Sequence, residues 1–292
     1  MVWVAFTLLA ASMQAWRNAA QKELSKTVPV LGVTLARFLY ACPLAAAYLW
    51  LVNRYGNVAA APDFSGAFFA FVAGAGLAQI AATALMVQLF RLKNYAIGAG
   101  LAKSEAVIAA VLGVCFFGTQ IGWLGWLGVA VGAVAVFLLT GVENMRHLSW
   151  QTLLTGLGSG LCFALTSLWI REASLSLHTD YLLSAAWVLF GIITMQTVLL
   201  TVYLALCQRE TLKKLWHKPK LAWATSVFSF LGSFGWFHAM SLQDVAFVKT
   251  VGQIEVLFML LISHFLFKEK LRKQDWLGLL LIVLAAVLVV WA

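Results

Sequence analysis

The sequence predicts an all-α polytopic membrane protein: ten transmembrane helices forming two inverted five-helix repeats around a central cavity. Three observations predict it. Of 292 residues, 63% are hydrophobic and only 11% charged, where a soluble domain carries about a quarter charged residues. Several apolar windows approach or exceed the ~20 residues that span ~30 Å of hydrocarbon as a helix. The chain also matches itself at an offset of 150 residues.

The spans are expected at 2–18, 29–52, 66–90, 95–117, 121–141, 150–171, 181–207, 221–241, 245–267 and 274–291. Their apolar runs are continuous rather than alternating, which argues against a β-barrel. Pro29, Pro62 and Pro219 lie near span starts. Pro43 falls inside the second span and predicts a kink or local opening there. The first residues lack a basic region, so no cleavable signal peptide is expected. Cys42, Cys115, Cys162 and Cys207 form no CxxC pair, so neither a disulfide framework nor a metal or cofactor site is expected.

Net charge is +9, concentrated in short loops. That pattern is a membrane orientation signal rather than a nucleic-acid footprint. With the N-terminus outside, the inward loops carry Lys22 and Lys26, Arg91 and Lys93, Arg146, "RETLKKLWHKPK" and "KEKLRK". The opposite loops hold little beyond Arg54 and Arg171. Both termini are therefore expected on the non-cytoplasmic side, in a bacterial inner membrane.

Residues 92–139 fall on 242–289 without a gap. Glu105, Phe117, Trp126, Leu127 and Gly128 meet Glu255, Phe267, Trp276, Leu277 and Gly278. The repeats are placed at 1–145 and 146–292. Five crossings per repeat turn the second copy upside down. The uncharged "FGTQIG" after the fourth span accordingly matches the basic "FKEKLR" after the ninth. Inverted repeats of this kind mark secondary transporters, whose substrates bind where the halves meet.

Lys103 stands about ten residues past the basic loop, roughly 15 Å deep. A charge at a helix centre costs about 2.5–3.5 kcal/mol on insertion scales, so it needs a polar cavity or a partner. On a continuous helix Glu105 would point about 200° away from Lys103 and would bond a neighbouring helix instead. Gln253 occupies the position matching Lys103, and Lys249 lies one turn from Gln253. Lys103, Lys249 and Gln253 are expected to line one cavity, with Arg37 as a fourth candidate. The competing reading is that the lysines merely neutralise Glu105 and Glu255 in buried pairs. The two glutamates are expected to be coupling or architectural groups, with protons as the candidate coupling ion. Trp16, Trp169, Trp187 and Trp236 could wall the substrate, together with Gln79. Gln14, Gln196, Ser233 and His238 are further polar groups expected to satisfy one another or backbone carbonyls.

The second copy, "EVLFMLLISHFLFKEKLRKQDWLGLLLIVLAAVLVV", resembles the terminal signature of the EamA family of the drug/metabolite transporter superfamily. Glu255, Glu269, Trp276 and Gly278 stand at the corresponding places. The first copy matches more loosely, with Glu105 and Gly128 retained and Thr119 in place of the loop glutamate. The family usually has a proline after the span glutamate, where Ala106 and Val256 stand here. The resemblance implies a 5+5 inverted helical bundle with a central cavity that transports small organic solutes.

The leading expectation is a secondary transporter of a small anionic or zwitterionic metabolite: amino-acid-like, an organic acid or phosphorylated. Its partners would be that small molecule, the lipid bilayer and protons, with no nucleic acid. No GxxxxGK[ST] is present, which argues against ATP as the direct power source. One alternative is a proton-coupled exporter of cationic or apolar compounds. Another, of a different class, is a lipid-handling protein or membrane enzyme, although no paired carboxylates, histidine cluster or nucleophile motif supports catalysis. Oligomeric state is left open.

Overall fold

The computed structural model describes residues 1–56, 61–92, 101–140, 149–267 and 273–292. Among these there are helices, turns and short connections, and no strand. Lys93, Ala96, Arg146, Glu269 and the basic loop 268–272 lie outside the described residues. The first half holds α1 (Val2–Ser25), α2 (Val30–Phe38), α3 (Ala41–Tyr55), α4 (Gly66–Leu92), α5 (Glu105–Phe116) and α6 (Trp123–Thr140). The second holds α7 (Trp150–Leu175), α8 (Tyr181–Cys207), the short α9 (Arg209–Trp216), α10 (Pro219–Leu242), α11 (Val245–Gly252), α12 (Glu255–Phe267) and α13 (Lys273–Val290).

Among the described residues, five segments are long and apolar enough to cross a membrane: Val30–Tyr55, Gly66–Arg91, Trp150–Leu175, Tyr181–Cys207 and Val245–Ile262. Glu105–Phe116, Trp123–Leu138 and Trp276–Val290 are shorter apolar helices. Helices α1 and α10 are each 24 residues long but more polar, and their polar residues are turned inward. Arg17, Asn18 and Gln21 of α1, and Ser226, Ser229, Ser233 and His238 of α10, are all buried. Apolar side chains point the other way: Val198, Val202 and Leu206 of α8, and Leu280, Val283 and Val287 of α13, are exposed. Polar inside and apolar outside is the arrangement a bilayer favours, since lipid offers a polar side chain no partner.

The long interfaces are α1 along α10, α4 along α7 and α6 along α13. Small residues permit this closeness. A Cβ on Gly235 of α10 would stand 2.5 Å from the Phe6 carbonyl oxygen of α1. One on Gly128 of α6 would stand 3.1 Å from the Ala285 carbonyl oxygen of α13.

Three helix ladders are interrupted. The second span breaks between α2 and α3, where Pro43 removes a donor and crowds the carbonyl four residues back. Ser226 of α10 enters the gap: its Oγ donates to Ala36 O at 2.5 Å and accepts from Tyr40 N–H at 3.1 Å. The hydroxyl thus replaces the backbone bond that Tyr40 would make to Ala36. The other two interruptions precede Glu105 and Glu255. Bonds tighten to three-residue spacing, Ala106 N–H to Lys103 O at 3.3 Å and Val256 N–H to Gln253 O at 2.9 Å. These bonds correspond at the 150-residue offset, although Ala106 and Val256 stand where a proline would otherwise bend the chain.

Replacing Ser226 with alanine leaves Tyr40 N–H and Ala36 C=O without their shared partner. A loss of about 1–3 kcal/mol is expected, read as a lower Tm of the detergent-solubilised protein. An unchanged Tm would mean that the ladder repairs itself.

Candidate functional site

The site starts from a stripe on α1. Gln14, Arg17, Asn18 and Gln21 recur at three- and four-residue spacing, so they share one helix face. That face points into the bundle. Gln14 is half-buried and the other three are buried, Gln21 with neither amide atom hydrogen-bonded.

Six residues close a ring at the centre. The Glu255 carboxylate accepts hydrogen bonds from Lys103 Nζ, from Gln14 Nε2 at 2.6 Å and from Asn18 Nδ2 at 2.8 Å. Gln14 Oε1 accepts from Trp236 Nε1 at 2.7 Å. The Trp236 ring lies under Lys249, whose Nζ is 4.3 Å from the ring centroid, a cation–π contact. Lys249 Nζ is also 3.6 Å from Glu105 Oε2, and Glu105 Oε1 is 3.9 Å from Lys103 Nζ. All but Gln14 are buried. The pairing is crossed: Lys103 meets Glu255, and Lys249 meets Glu105. Each pair therefore ties the first half of the chain to the second.

The expectation that Lys103 and Glu105 point apart needs correction. It holds for a continuous helix, and the ladder is tightened between these two residues, which brings their charges within 4.0 Å. Glu105 reaches another helix through Lys249 of α11, and Glu255 bonds Gln14 and Asn18 of α1.

Arg37 is buried and donates from Nη1 to Thr83 Oγ1 at 2.6 Å, while its Nε has no hydrogen-bond partner. Arg17, Glu105 and Glu255 are the charged groups near enough to act on it. Arg17 donates from Nε and Nη2 to Asn18 Oδ1 at 3.2 and 2.8 Å. Among the described residues the buried charges are Arg17, Arg37, Lys103 and Lys249 against Glu105 and Glu255.

Two narrow cavities adjoin the ring. One is bordered by Gln14, Asn18, Lys103, Glu105 and Glu255, the other by Arg37, Gln79, Glu105, Trp236 and Lys249. Each has room for about one water, so the centre is closed in this conformation. A larger apolar cavity of about 330 Å³ lies between α5, α6 and α7, lined by residues including Val107, Val136 and Leu157.

The remaining expected site residues are dispersed. Gln79 borders the Arg37 cavity and accepts from Gln196 Nε2 at 3.0 Å. Gln253 borders neither central cavity. Its amide lies against Gly132 of α6, where a Cβ would collide with it. Trp16 is exposed and stacks on Phe228 at 6.1 Å, because it sits about 200° from Gln14 on α1. Trp169 packs between helices, 3.0 Å from where a Gly74 Cβ would be. Trp187 meets Phe64 edge-on at 5.0 Å near the start of α8. Of the four tryptophans only Trp236 belongs to the ring.

Sequence reasoning missed Arg17, Asn18, Gln21 and Thr83. The first three were legible as polar residues at helical spacing. The expected span ended at residue 18, whereas α1 continues to Ser25.

Residues 150–291 match the EamA-like transporter family. No curated relative matches. A solved structure titled only "Crystal structure of protein" superposes with a TM-score of 0.70 over 98% of this chain and 97% of that one. At 12% identity, the likeness shows the fold alone.

Lys103→Met strands Glu255 with neutral partners and is expected to cost about 3–5 kcal/mol. Adding Glu255→Gln should recover most of that loss, because the amide keeps hydrogen-bonding capacity without the charge. Thermal unfolding of the two single variants and the double variant checks the coupling; single losses that simply add in the double variant would show none.

Proposed function

We infer that the chain is a secondary transporter carrying a small organic anion or zwitterion by alternating access; residues 150–291 match the EamA-like transporter family. The apolar helices and the family match support an integral multi-pass membrane protein that transports small molecules. The finer reading is of ten crossings in two inverted halves, 1–145 and 146–292. Packing supports it: an offset of 150 exchanges α1 with α7 and α4 with α10. The close pair α1–α10 then maps onto α7–α4, and α5–α7 onto α12–α1. The tightened turns at 103 and 253 correspond in the same way.

The observation that carries the substrate class is Arg37, a buried cation whose Nε has no hydrogen-bond partner, beside a narrow central cavity. In a closed, low-dielectric interior that charge is expensive unless an anion meets it. The lysines are engaged by glutamates, so Arg37 is the leading candidate for the first anion contact, with Gln79 beside it. The crossed pairs act as a latch between halves. A solute carboxylate or phosphate can take over a lysine, and a solute amine can take over Glu105 or Glu255. Exchanging partners in this way loosens the latch without leaving a buried charge alone. Cationic or apolar cargo would leave Arg37 unmet, which disfavours the exporter alternative. Glu105 and Glu255 remain the candidate proton carriers. The cationic loops support termini on the non-cytoplasmic side.

In a thermal-shift screen of purified protein, carboxylates or phosphorylated metabolites are expected to raise Tm by mass action, and quaternary amines are not. Arg37→Gln should weaken that response at least about tenfold, equivalent to about 1.4 kcal/mol. Stabilisation by quaternary amines alone would overturn the anion reading. Accessibility tags at 118–121 and 268–272 are expected to report opposite faces of the membrane; a shared face would remove the inverted arrangement.

A further inference from the structure

One groove on the outer surface is not used by the central site. It is lined by Tyr40, Pro219, Lys220, Trp223 and Ala224. It owes its floor to the interruption between α2 and α3, where Ser226 takes over the backbone bonds of Ala36 and Tyr40. Pro219 to Ala224 spans five residues, about 8 Å of helix rise. That is the depth over which a bilayer passes from headgroups to acyl chains. Trp223 is 58% exposed along this wall, with an apolar body and a polar N–H suited to that boundary.

The groove lies next to a concentration of positive charge. Residues 208–220 hold Arg209, Lys213, Lys214, Lys218 and Lys220 against Glu210 alone. Glu210 is already engaged by Lys213 at 2.7 Å. Arg209, Lys214, Lys218 and Lys220 have no ion-pair partner among the described residues. The helix that presents much of this charge is firmly seated. Thr211 and Leu215 of α9 are buried, and a Cβ on Gly32 of α2 would come within 2.7 Å of Thr211 Cγ2. Only glycine at position 32 lets α9 lie this close. Trp216, at its end, is exposed.

We propose that this groove binds an anionic glycerophospholipid of the surrounding leaflet, with its phosphate at Lys220 and an acyl chain along Trp223 and Tyr40. Charge complementarity selects the occupant. A zwitterionic headgroup brings no net charge to the four cations that lack a carboxylate, whereas an anionic one does. The apolar wall and floor hold the chain, which a soluble phosphate lacks.

The test uses the full chain in nanodiscs of phosphatidylcholine, with or without about one quarter phosphatidylglycerol. The anionic lipid is expected to raise Tm by about 4 °C. Lys220→Gln and Trp223→Leu should each lose at least about half of that increment while matching the parent in phosphatidylcholine alone. Lys213→Gln, whose charge is held by Glu210, should keep it. Millimolar sn-glycerol 3-phosphate in phosphatidylcholine discs should give no shift. The proposal is overturned if the parent shows no increment, if Lys220→Gln retains all of it, or if the soluble phosphate reproduces it. Should Trp223→Leu fail to fold, the exposed Lys220→Gln decides alone.

Discussion

The crossed ion pairs at the centre constrain everything around them. Lys103 and Glu255, and Lys249 and Glu105, are buried where an isolated charge would be prohibitively costly. Each pair joins the two halves of the chain, so the halves cannot separate there without supplying a substitute partner. The ladder tightening before Glu105 and Glu255 lets both members of a half contribute to one cluster. A continuous helix would have pointed them apart.

Around this cluster the helices divide their labour by polarity. Helices α1 and α10 carry the inward polar faces, and Gln14, Asn18 and Trp236 from them complete the ring. Helices α8 and α13 present apolar side chains outward. The most polar of the long helices are thus the ones closest to the proposed solute path, where mean apolarity matters less than facing direction. Glycines at 128 and 235 set the closeness of the long interfaces. Such interfaces contain few bonds that motion would break, which suits the rocking of halves proposed above.

Arg37 distinguishes this centre from a neutral ion-pair cluster. Lysines and glutamates alone would balance, and the site would have no preference for charge. Arg37 is a further buried cation, and among the described residues its hydrogen-bond acceptor is a threonine hydroxyl. The proposed anion contact, expected at Lys103, Lys249, Gln253 and Arg37, therefore rests chiefly on Arg37 and on the exchange of partners around the ring.

Much of the architecture was legible in the amino-acid order. Apolar run lengths gave the helices, Pro43 the interruption in the second span, and the 150-residue self-match the correspondence of Glu105 with Glu255. The terminal signature pointed to the family that residues 150–291 match. Those features are local or periodic, so they survive without knowledge of neighbours. Which carboxylate meets which lysine was not legible, because residues 103 and 255, or 105 and 249, meet only when helices distant in sequence pack together. Nor was the fate of Trp16 and Gln253, since one turn of a helix decides between cavity and periphery. Sequence determines which charges must be buried; only the tertiary arrangement decides their partners, because pairing depends on distances that folding alone creates.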